Sequence, residues 1–125
     1  MTKTITTIII SICLLIGGAI AEQIFIKNTF DDIKEEIGEV IEKLEDETAT
    51  VEDTEKVRDS WVEKKKTLHA FISHNDIKEF DLWLSEAVSY CELGKYDEAK
   101  EKLDVALNLA NEVPKGYMTR FENIF

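Results

Sequence analysis

From Thr4 to Ala21 the chain runs for 18 residues without a charged side chain, and Ile and Leu dominate the run. Wound as an α-helix with a rise of 1.5 Å per residue, it would span about 27 Å, close to the hydrocarbon thickness of a bilayer. A segment of this kind is expected to enter a membrane, which sets the frame for everything that follows it. Met1, Thr2 and Lys3 precede the run and Glu22 closes it, the layout of an export signal. Ala19, Ile20 and Ala21 form an Ala-x-Ala pattern at which signal peptidase can cut before Glu22. The length of the run favours the other fate, retention as an anchor, because cleaved apolar regions span only about 7 to 15 residues.

Orientation is less directly encoded. Lys3 stands on one side of the run and Lys27 and Lys34 on the other, and acidic residues barely count in the positive-inside rule. The three-residue leader and the signal-like end place the N-terminus in the cytoplasm and residues 22 to 125 outside the cell membrane. Cys13, Gly17 and Ala21 recur every fourth residue and would let two such helices approach closely.

The remaining residues are polar and rich in helix formers. The chain holds 15 Lys and Arg against 26 Asp and Glu, a net charge of −11, which argues against nucleic acid and against anionic lipid headgroups as partners. Five Gly and one Pro are too few for a β protein with frequent turns. An all-α fold is therefore expected: a transmembrane helix over residues 1–22, then a small antiparallel bundle over 23–125.

Its helices are predicted from apolar periodicity at about 23–47, 51–72, 76–93 and 96–113, with a tail over 114–125. Ile26, Phe30, Ile33, Ile37, Val40 and Leu44 recur every three or four residues between charged positions, one stripe on one helix face. Nothing separates this stripe from the apolar run, so the two can form one rod. Thr50 with Asp53 reads as a capping box at the start of the second helix. Val57, Trp61, Leu68, Phe71 and Ile72 are expected inward on that helix, with Glu63 to Lys66 outward.

Ser73, His74, Asn75 and Asp76 form a turn whose side chains can cap the third helix, with His74 or Asn75 as the expected cap. Ile77, Phe80, Trp83, Leu84, Ala87, Val88 and Cys91 cover a wide arc, which makes the third helix the expected centre of the bundle. Gly94 ends it. Tyr96, Ala99, Leu103, Ala106, Ala110 and Val113 form the inward face of the fourth helix, which Pro114 and Gly116 are expected to stop. The tail should dock through Met118, Phe121, Ile124 and Phe125, since left in water they would form an exposed apolar patch.

The sequence offers little chemistry. His69 and His74 are the only histidines, and at five residues apart on a continuous helix they would point in different directions. A zinc shared by them, with Asp76 as a third ligand, would need a break in the helix; a capping turn is the favoured reading. Twelve of the 15 charged residues from Asp31 to Lys56 are acidic, a solvated face without the loop that organises a calcium site. Lys64 to Lys66 are expected to meet this acidity across the bundle. Cys91 reads as a core cysteine, since its only possible mate, Cys13, lies in the apolar run. Trp61 and Trp83 read as core. No nucleophile elbow, phosphate loop or Cys–His pair is present in the sequence, so an enzyme is not expected, nor any catalytic, cofactor or metal residue.

Two resemblances add to this. Gly94, Tyr96, Asp97, Glu98, Ala99, Ala106 and Leu107, with Trp83 and Tyr90 upstream, resemble one tetratricopeptide helical hairpin, departing from it at Glu86 and at Pro114. A wider set of residues is similar to a bacterial domain-of-unknown-function family of small single-pass proteins, common in clostridia and related spore formers. That set is the apolar segment, Trp61, the run from Phe71 to Ile77, the Tyr90 region, the Leu and Ala pattern of the fourth helix, and Asn123-Ile124-Phe125. The resemblance implies membrane anchoring and a helical exported domain, and it carries no activity. The expected role is a membrane-held interaction or scaffold module with an unknown protein partner. The alternatives are a homodimeric coiled-coil sensor or structural protein zipped along Ile26 to Leu44, and a secreted ligand or metal carrier cut after Ala21.

Overall fold

In a computed structural model, which describes residues 1–124 and their side chains through Met118, four α-helices follow one another in sequence. They are α1 (Thr2–Glu45), α2 (Val51–Leu68), α3 (His74–Glu92) and α4 (Tyr96–Ile124). Among the described residues there is no strand. Each helix packs on two neighbours in the cycle α1, α2, α3, α4, and the diagonal pairs keep their backbones apart. This is an up-down-up-down four-helix bundle, the arrangement that short connections favour.

α1 is a single helix of 44 residues, about 66 Å long at the usual rise. Its two halves bury different things. Ile26, Phe30, Ile33, Ile37, Val40 and Leu44 are all buried in the bundle core, joined by Thr29 and Ile41. The apolar run before them is not buried against the protein at all: Leu14 and Leu15 are 71% and 72% exposed.

The distal end of the bundle holds two turns of the same design. Past α1, Thr48 N–H reaches Lys43 C=O at 2.8 Å and Glu47 N–H reaches Leu44 C=O at 3.2 Å. Past α3, Lys95 N–H reaches Tyr90 C=O at 2.9 Å and Gly94 N–H reaches Cys91 C=O at 3.1 Å. Both are Schellman closures, which satisfy the last carbonyls of a helix by putting one residue in the left-handed region. Gly94 takes that place after α3 with φ 73°, and Glu47 takes it after α1 with φ 58°.

The helix starts are fixed by side chains. Asp53 N–H donates to Thr50 Oγ1 and Thr50 N–H donates to the Asp53 carboxylate, the reciprocal capping box expected at α2. At α3 the cap is Ser73, whose Oγ accepts from Asp76 N–H at 3.2 Å. His74 is the first residue of that helix rather than its cap, because Ser73 has the extended backbone an N-cap requires.

Three further expectations are corrected. α2 stops at Leu68, so Phe71 and Ile72 sit in the α2–α3 turn; Ile72 is buried and Phe71 is 37% exposed. α3 is one corner of a square rather than its centre, and its wide apolar arc serves two neighbours, α2 and α4. α4 passes through Pro114 and Gly116 and continues to Ile124, so the segment from 114 is helix and not a separate tail. Proline removes one N–H and crowds the preceding turn, at a cost of about 3 kcal/mol. Here the apolar face continues across it: Ala110 is fully buried, Pro114 is buried, and Val113 and Tyr117 pack against the core. Tertiary packing of that face holds the helix together where local propensity would end it. The docking expected of Phe121, Ile124 and Phe125 lies outside the described side chains, and Met118 is 40% exposed.

The core is built around Phe30, Trp61 and Phe80, with ring centroids 4.3 to 6.1 Å apart. Ala87, Ala99, Ala106 and Ala110 are fully buried and bring α4 close to its neighbours.

Candidate functional site

The ends of the bundle differ in character, and the helix directions decide which faces the apolar half of α1. Gln23 Nε2 donates to Tyr117 C=O at 3.4 Å, and Phe25 meets Phe71 with ring centroids 5.5 Å apart. The α2–α3 turn and the last turns of α4 therefore lie beside the foot of α1. The α1–α2 and α3–α4 turns lie together at the far end, where Lys100 approaches Glu45 at 3.7 Å.

At the near end, Tyr117 joins α4 to the start of α3. Its hydroxyl accepts from Ser73 N–H at 2.6 Å and donates to the Asp76 carboxylate at 3.1 Å. The sequence pattern placed Tyr117 in a tail and gave no sign of this bond, which spans 44 residues of chain. His69 and His74 stand beside it. The helix break that their spacing required is present, and it stacks the two rings at 5.8 Å instead of separating them. The pair supplies two of the four ligands a structural zinc takes, and Asp76 is engaged by Tyr117. Among the described residues no group of three or more His, Cys, Asp and Glu is arranged to hold a metal ion.

In the middle of the bundle, Trp61 is 1% exposed and its indole N–H donates to Asp81 at 2.6 Å. Lys65 completes the arrangement at 2.9 Å from the other carboxylate oxygen. Asp81 thus satisfies a buried aromatic donor, which a tryptophan in a core needs. Trp83 is half-buried, and Lys102 stands over its ring at 4.9 Å while reaching Glu86 at 3.4 Å. Lys64 meets Glu36 on α1 at 3.9 Å, Lys65 meets Asp81 on α3, and Lys66 pairs within its own helix with Glu63. The basic run therefore meets the acidic face of α1 only through Lys64.

Cys91 is buried, and burial pushes its thiol pKa up, with a smaller opposing effect from a hydrogen bond with Thr54. A thiol so placed is inert. At the far end a cleft of about 740 Å3 opens between the two Schellman turns, lined by Leu44, Glu47, Ala49, Gly94, Tyr96 and Lys100 among others. Leu93 and Tyr96, 70% and 48% exposed, stand beside it.

The geometry is thus a bundle with a buried aromatic centre, an apolar stem and a far end where charged turns flank exposed Leu93 and Tyr96. A family model described as a domain of unknown function, DUF4363, matches residues 20–124. The chain belongs to the DUF4363 family. The DUF4363 match starts at Ile20, so it takes in the stripe on α1 and all of α2, α3 and α4 up to Ile124. No curated protein and no solved structure matches the chain.

Proposed function

We propose that this DUF4363 protein is a single-pass membrane protein, anchored through residues 4–21, that presents its bundle on the outer face of the cytoplasmic membrane as a non-catalytic scaffold for another protein. The observation that carries this reading is the unbroken α1. One helix supplies both the exposed apolar stem and a full quarter of the bundle core, so the domain has no flexible linker to its anchor. A continuous exposed apolar surface of this size needs a non-aqueous neighbour.

The partner-facing surface in this reading is the far end, where exposed Leu93 and Tyr96 flank the cleft. The α3–α4 hairpin that bears them resembles a tetratricopeptide unit, although α4 runs past the proline that would close such a unit. Photo-crosslinkers installed at Leu93 and Tyr96 in intact cells should give one discrete adduct, and the same groups at Lys78 should not. Equal capture at all three positions would count against a scaffold acting through that end. External protease should digest the bundle in intact cells; protection until lysis would reverse the orientation.

A second reading is a homodimer. Ile26 to Leu44 are buried within the chain's own bundle and are not free to zip two chains together. The Cys13, Gly17 and Ala21 face remains, and a side chain at Gly17 would meet nothing within 4 Å. Self-association in this reading runs through the membrane segment.

A further inference from the structure

We infer that the near end of the bundle is seated in the lipid headgroup layer, so that the domain lies against the membrane instead of standing clear of it. This rests on the reading of residues 4–21 as a membrane span. The argument is one of height. The apolar run ends at Ala21, and Phe25 follows four residues later, about 6 Å along the same helix. The headgroup layer on each side of a bilayer is about 5 to 7 Å thick. Phe71 touches Phe25 and so stands at that level. Tyr117 meets Gln23, about 3 Å past Ala21, so this part of α4 stands at the same level.

What this end exposes suits the interface. Ile24, Phe71 and Met118 are 54%, 37% and 40% exposed, large apolar side chains grouped where the bundle meets its stem. Lys64, Lys65 and Lys66 are paired with Glu36, Asp81 and Glu63, so the α2–α3 turn meets the lipid as an apolar tip, while the acidic excess of Asp31 to Lys56 is carried higher on α1 and at the far end.

The test uses the full chain in bilayer discs containing anionic lipid, with Cys13→Ser as background, since Cys91 is buried. Nitroxide labels are placed one at a time through Phe71→Cys, Ala70→Cys, Ile10→Cys and Leu93→Cys, and circular dichroism checks the helix content of each. Collision with oxygen and with a water-soluble nickel chelate reads the depth of each label. The expected result is a deep signal at position 10, a fully aqueous signal at 93, and at 70 and 71 a severalfold loss of chelate access relative to 93. Chelate access at 70 and 71 equal to that at 93, with position 10 still deep, would overturn the seating and leave the anchor standing. An aqueous signal at position 10 would overturn both.

Discussion

Glu47 occupies the left-handed position that closes α1, where Gly94 serves after α3. A side chain there costs about 1 to 2 kcal/mol, and glycine returns part of that through its extra freedom when unfolded. Glu47→Gly should therefore raise stability by about 0.5 to 1 kcal/mol, and Gly94→Ala should lower it by a similar amount; thermal unfolding measures both. Asp53 has a different role. Its carboxylate accepts the Thr50 N–H and faces Lys43 at 3.2 Å, and these hold its pKa below the usual carboxylate value. Asp31 is held low in the same direction by hydrogen bonds from Lys27 and Lys34. A folded-state pKa that is depressed contributes stability fully above the unfolded value, near about 3.9, and loses it as pH falls through the lower folded value. Stability should fall below about pH 4, and Asp53→Asn should show a shallower loss over that range in acid titrations of unfolding. An unchanged slope would separate the cap from the acid transition.

The elements were legible in the sequence to the extent that their determinants are local. Ile26 to Leu44 repeat at helical spacing and are buried as that spacing requires, and Thr50, Asp53 and Gly94 act where their backbone chemistry predicts. What escaped was set by partners distant in sequence. Asp81 serves Trp61 from 20 residues away, and Tyr117 serves Ser73 from 44. The His69–His74 stack depended on where α2 ended, since the same spacing separates the rings on a continuous helix and stacks them across a turn. Pro114 signals a stop at the level of local propensity, whereas the inward face from Ala110 to Tyr117 is a property of the packed bundle. Pro114→Ala restores a donor for the Ala110 carbonyl and should stabilise the bundle by about 1 to 3 kcal/mol, measured by denaturant unfolding. Destabilisation would show that the buried ring contributes more by packing than its missing N–H costs.

At the scale of the whole molecule, one helix carries both a stretch long and apolar enough to cross a membrane and one side of the bundle core. The core starts at Ile26, and the stripe that would otherwise pair two chains is consumed inside the bundle, so residues 22–125 expressed alone should be soluble and monomeric. Analytical ultracentrifugation at high concentration checks this; a dimer would return the coiled-coil arrangement to favour. The central claim concerns the stem, and alkaline carbonate extraction of membranes from cells making the full chain tests it most directly. The account predicts that the protein stays in the pellet with Met1 or Thr2 still at its N-terminus. Recovery of the intact, uncleaved chain in the supernatant would contradict it.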